Sequence, residues 1–188
     1  MSQLWMMVAV PFLAQAAPAN PDLKYVKEQG FSIMKPVKNE EWGFKDKGFY
    51  QDSKAIIYHK VDTLTIEVLS FVQFDALTSG KVWDAKKQAE AELAKFTGNT
   101  QITINSKKEP HQARLPMAGA GNVNAWHVTV NYKAEDGKAM DARIWTFVGR
   151  ESQNAYIVAM IGEDGMYKKH QKAADFIFST LKIWKIPK

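Results

Sequence analysis

The chain has 188 residues, 46% of them apolar and 12% aromatic, and a formal net charge of +5 at pH 7. That composition excludes a disordered chain and fits one domain with a short tail. It has no cysteine, which excludes disulfides, thiolate metal centres, iron–sulfur clusters and cysteine nucleophiles.

Leu4 to Ala14 is an apolar run broken only by Pro11, and Ala14 and Ala16 flank Gln15 at its end. A run this short followed by a small-x-small site predicts a signal peptide over 1–16, cleaved after Ala16. No stretch approaches the roughly 18 apolar residues of a membrane span. Because no Lys or Arg precedes the run, the alternative is an N-terminal element docked on the core. Residues 17–29, with Pro18 and Pro21, predict a lead-in linker, and 30–188 a single domain.

Phe31-Ser32-Ile33 alternates and stops at Pro36, which predicts a short strand. Trp42–Phe44, Lys54–Lys60 and Thr63–Gln73 predict three more. In the last of these, Leu64, Ile66, Val68 and Val72 share one face, and Thr65, Glu67, Leu69 and Phe71 the other. From Ser79 to Phe96 the period changes. Val82, Ala85, Ala89, Leu93 and Phe96 recur at helical spacing, which predicts an amphipathic helix capped by Thr78 or Ser79 and stopped at Gly98. Gln101–Glu109 alternates again. Residues 111–124 lack period and contain Pro116, Gly119 and Gly121, which predicts a long loop.

Three strands then follow in quick succession, at 124–133, 138–148 and 155–161. Trp126, Val128, Val130 and Tyr132 are expected to share one face and meet a helix. Trp145 and Phe147 fall opposite Met140, Ala142, Ile144 and Val148, and AYIVAMI at 155–161 is apolar on both faces. A closing helix is expected to bury Met166, His170, Ala173, Ala174, Ile177 and Leu181, with Glu163-Asp164 at its positive end. Strands apolar on both faces need cover on both sides, and short turns imply antiparallel neighbours. The expectation is α+β: a three-layer α/β/α sandwich around a mainly antiparallel central sheet.

Gly30-Phe31-Ser32-Ile33, Pro36 and Trp42, together with Ala155-Tyr156-Ile157-Val158, Glu163-Asp164, Phe176, Ile177, Ser179 and Leu181-Lys182-Ile183, resemble the PsbP-like family, which includes Mog-like and DcrB-like proteins. The resemblance spans about residues 30–186 and rests on where core residues fall. It implies the same sandwich and a non-enzymatic binding or assembly role. Members differ in partner, so it implies no binding residues here.

No cofactor and no metal site is expected from linear motifs. The four histidines, His59, His111, His127 and His170, form no His-x-x-x-His pair. There is no Gly-x-Ser-x-Gly, and Gly119-Ala120-Gly121 lacks the lysine of a phosphate loop. Basic residues gather at Lys107, Lys108, His111 and Arg114, the candidate partner-binding residues. Without basic–aromatic alternation they do not suggest nucleic acid. The reading is therefore a periplasmic or secreted non-enzymatic binding or assembly-factor domain, whose partner is a protein or an anionic envelope component. The alternative is an envelope enzyme that acts on an anionic or glycan substrate through carboxylates gathered by the fold.

Overall fold

The structure, a computed structural model, describes residues 20–71, 83–117, 121–149 and 154–185. The expected cleavage site at Ala14 and Ala16 lies outside the described residues. In chain order the strands are β1 (Leu23–Val26), β2 (Phe31–Met34), β3 (Trp42–Phe44), β4 (Ala55–His59), β5 (Leu64–Phe71), β6 (Thr103–Met117), β7 (Gly121–Lys133), β8 (Ala139–Val148), β9 (Ala155–Glu163) and β10 (Lys182–Ile183). The helices are α1 (Ala85–Thr97), α2 (Met166–Lys169) and α3 (Gln171–Thr180).

Seven strands form one antiparallel sheet in the order β3-β4-β5-β9-β8-β7-β6. The doubly apolar strand β9 takes its centre, where both faces are covered. On one face Leu64, Ile66, Val68, Trp145, Phe147, Tyr156, Val158 and Met160 meet Phe31, Ile33, Ala174, Ile177 and Phe178. On the other, Leu69, Val128, Val130, Tyr132, Ala142, Ile144, Ile157, Ala159 and Ile161 meet Ala89, Leu93 and Phe96 of α1. Full burial of one such side chain is worth about 1.5–3 kcal/mol. A surface ion pair is worth about 0–1 kcal/mol, so these two interfaces, and not the charged surface, hold the fold.

Within the stretch expected as lead-in, β1 pairs antiparallel with β2, and β10 pairs with the other side of β2 to make a small second sheet. Gly30 closes the link after one 3-10 turn at Lys27–Gln29, with φ 64° and ψ 38°, a left-handed conformation that glycine adopts without strain. Tyr25 stacks on Trp184 at 4.7 Å, fastening the C-terminal segment to β1.

Three expectations are corrected. The helix begins at Ala85, not Ser79. Asp84 is its N-cap and accepts from the backbone N–H of Lys86 at 2.8 Å and Lys87 at 3.1 Å, satisfying first-turn donors; Thr78 and Ser79 lie outside the described residues. The closing helix is two helices, because His170 leaves helical geometry at φ −107° and ψ 19°. Its start is Gly165 with no side-chain cap, while Glu163 accepts instead from Thr63 Oγ1 at 3.0 Å. The expected loop over 111–124 is mostly strand, the hairpin of β6 and β7, with only 118–120 outside the description. β6 is an edge strand, where proline costs no ladder bond on the open side. The alternation expected over Gln101–Glu109 is the first half of this strand, and the register shift at Lys108/His111 hides the second half from sequence.

Candidate functional site

The hairpin register decides where the four basic residues go. Lys107 opposes Val130 and Arg114 opposes Asn124, on the face that carries α1. Lys108 opposes Thr129 and His111 opposes His127, on the other face. All four are exposed. Lys107 reaches Glu109 at 2.9 Å, whereas Lys108 and Arg114 take part in no ion pair among the described residues. The edge thus carries cations on both faces. Pro110 sits between Lys108 and His111 at a register shift, and such features together with charge keep another strand from pairing there.

Behind His111, the His127 ring lies 5.1 Å away and stacks flat on Trp145 at 4.5 Å, and Trp145 in turn meets Phe178 at 5.2 Å. Arg143 follows on the same face, its guanidinium over the Tyr167 ring at 4.0 Å and its Nε 3.0 Å from Asp141 Oδ2. Burial, and then the neighbouring charges of His111, Arg143 and Lys108, push the His127 pKa down from 6.5 to about 4. The unfolded chain therefore binds more protons than the folded one between those values, and stability rises with pH across that window. We expect the urea midpoint of the wild type to fall as the pH drops from 6.5 towards 4, and His127→Gln to flatten that fall. Equal slopes for the two proteins would contradict the assignment.

A second constellation joins residues remote in sequence. His59 ends β4, Asp62 sits in the turn to β5, and His170 occupies the break between α2 and α3. Asp62 Oδ2 lies 2.5 Å from His170 Nε2, 2.7 Å from Lys169 Nζ and 3.8 Å from His59 Nδ1. The Asp62 backbone N–H donates to His59 Nδ1 at 2.9 Å. That bond leaves the His59 proton on Nε2, which is buried without a hydrogen-bond partner, 3.7 Å from Glu41 Oε2. Trp42 stands edge-on to both rings, at 5.1 Å from His59 and 5.7 Å from His170. Hydrogen bonds from Lys169 and His170 hold the Asp62 pKa down at about 2. The cluster is not legible in the sequence, because His59 and Asp62, three residues apart, form no recognisable motif without His170, which lies 108 residues beyond Asp62.

Two buried carboxyl groups have structural partners. Glu67 accepts from Phe49 N–H, Tyr50 N–H, Ser53 Oγ and Thr65 Oγ1, and Glu92 from Tyr50 Oη, Gln88 Nε2 and Lys95 Nζ. An open depression elsewhere is lined by Thr63, Ala134, Glu135, Asp136, Lys138 and Met140, and by none of the histidines or candidate basic residues.

No protein-family model and no curated protein sequence matches the chain. Among solved structures it is similar to LpqN of Mycobacterium tuberculosis, a protein involved in cell envelope biogenesis. The identity is 14%, over 82% of this chain and 84% of that one, with a TM-score of 0.51. It is also similar to a Bacteroides thetaiotaomicron protein, at 14% identity and TM-score 0.50, over 88% of this chain but only 49% of that one; it spans about half that protein's length. Cyanobacterial PsbP from Synechocystis aligns over 92% of this chain and 99% of its own at 12% identity and TM-score 0.48. At 14% identity the likeness to LpqN and to the Bacteroides protein is one of fold alone. Among the described residues no helix is long and apolar enough to cross a membrane.

Proposed function

We propose that the chain is an extracytoplasmic, non-enzymatic binding or assembly-factor domain of the cell envelope that docks an anionic partner along β6. In this reading residues 1–16 are a signal peptide, 17–29 lead in, and 30–188 form one three-layer domain. The observation that carries the reading is the exposed edge strand bearing Lys107, Lys108, His111 and Arg114, of which only Lys107 has an ion-pair partner among the described residues. Such charges steer association more than they stabilise a fold. LpqN, of similar fold, is involved in envelope biogenesis, which suits this setting. The enzymatic alternative needs carboxylates free to act, and Glu67 and Glu92 are both engaged in internal hydrogen bonds.

The split of the four residues between two faces supplies the test. Lys107→Glu with Arg114→Glu reverses charge on the α1 face, and Lys108→Glu with His111→Glu on the opposite face. Both double variants are expected to fold within about 0.5 kcal/mol of wild type, as exposed changes do. At low ionic strength the variant whose face meets the partner should recover less envelope material in pull-downs, and added salt should erase the difference. Equal recovery by wild type and both variants at low salt removes β6 as the docking edge.

A further inference from the structure

We propose that His59, Asp62 and His170 form a binding site for one divalent transition-metal ion of the zinc or copper type, with Glu41 holding His59 from behind. The three donor groups lie within 4.8 Å of one another and come from two segments, the end of β4 with its following turn and the junction of α2 and α3. Two imidazoles and one carboxylate suit borderline first-row ions, and not magnesium or calcium, which take oxygen donors. Zinc bonds of about 2.0–2.2 Å place tetrahedral donors roughly 3.3 Å apart. The separations from Asp62 Oδ2, 2.5 Å to His170 Nε2 and 3.8 Å to His59 Nδ1, lie on either side of that value. Side-chain shifts of about 1 Å would admit the ion.

The protonation pattern of His59 favours the same conclusion. Its Nδ1 carries the lone pair and faces Asp62, while Nε2–H faces Glu41 without reaching it. A metal-bound histidine usually donates its other ring N–H to a carboxylate, which sets the tautomer and strengthens the ligand. Here the carboxylate is already in place, 3.7 Å away, and closing that gap would satisfy a nitrogen now buried and unbonded. The ion would displace the Asp62 N–H from Nδ1, the Lys169 ammonium from Asp62, and the Nε2 proton through which His170 bonds Asp62, that proton passing to His170 Nδ1 or to water. Lys169 is 56% exposed, so its ammonium can return to water. Trp42, edge-on to both rings, closes one side of the site and supplies a fluorescent reporter.

The full chain should be titrated with Zn2+ by calorimetry at about pH 7.5, where free imidazole is neutral, with Mg2+ as control. Quenching of tryptophan fluorescence by Cu2+ gives a second readout. One Zn2+ per chain is expected and no Mg2+. His170→Asn and Asp62→Asn should each weaken Zn2+ at least tenfold, and Glu41→Gln by roughly 10–100-fold. His111→Gln with His127→Gln should leave it unchanged. The proposal is overturned if the wild type does not bind Zn2+ saturably, if His170→Asn and Asp62→Asn bind as well as wild type, or if the His111/His127 pair is what abolishes binding. Should the ligand variants fail to fold, the wild type decides. Stoichiometric Zn2+ together with Cu2+ quenching that Trp42→Phe largely removes supports the site, and the absence of either overturns it.

Discussion

Glu67→Ala is expected to lower the free energy of unfolding by about 4 kcal/mol, from the loss of several buried hydrogen bonds at about 1–3 kcal/mol for each donor left unsatisfied. Glu67 is fully buried on β5, on the face that carries α1. It accepts from Phe49 N–H at 2.7 Å, Tyr50 N–H at 3.1 Å and Ser53 Oγ at 2.7 Å, and so anchors the β3–β4 connection to the sheet. That connection in turn braces α1, since Phe49 stacks on Phe96 at 5.6 Å and the Tyr50 hydroxyl donates to Glu92 at 2.8 Å. Truncation strands two backbone donors and loosens both contacts. Gly48 belongs to the same arrangement. A Cβ there would stand 2.4 Å from Glu67 Oε1, so Gly48→Ala must push the carboxyl away from its donors. Urea unfolding measures both. A loss below about 1 kcal/mol for Glu67→Ala would mean that water replaces the carboxyl and that the connection does not depend on it.

Trp145→Ala should cost about 3–5 kcal/mol, the usual range for a buried aromatic truncated to alanine. Trp145 is 8% exposed, sandwiched between the flat face of His127 and the edge of Phe178. Its loss opens the seam between the sheet and α3 and removes the platform on which His127 rests. Trp126→Ala, one register position along the β7–β8 ladder and so on the opposite face, should cost roughly half as much, because its indole is only half-buried and has Lys86 Nζ 5.5 Å from the ring. Thermal or urea unfolding of the two variants side by side tests the ranking. A larger loss for Trp126 would reverse the assignment of which face of the β7–β8 ladder carries the deeper packing.

Those two tryptophans mark how far pattern alone reaches. The alternation in 124–133 and 138–148 placed Trp126 with Val128, Val130 and Tyr132, and Trp145 with Phe147, and the structure keeps each set on its own face. Alternation says which face a side chain joins, but not how far the neighbouring layer extends over it. α1 covers Val128 and Val130 fully and leaves Trp126 at its rim. The half of β6 beyond Pro110 was illegible for a related reason. Its prolines and register shifts are tolerable only at a sheet edge, and edge position is a property of strand order, which the linear sequence does not state.

Outside β1 and the β6–β7 hairpin tip, the sequence by itself determined the class of elements and the faces of the strands, because periods of 2.0 and 3.6 are local consequences of backbone geometry. It also showed Lys107, Lys108, His111 and Arg114 as a basic cluster. Only the tertiary structure decided that this cluster divides between two faces of an edge strand, since a bulge of unpaired residues changes which neighbours share a side. Only it brought His59, Asp62 and His170 together. Their meeting depends on the β4–β5 turn lying against the junction of α2 and α3, a long-range contact set by the packing of Trp42 and the closing helices and by no spacing along the chain.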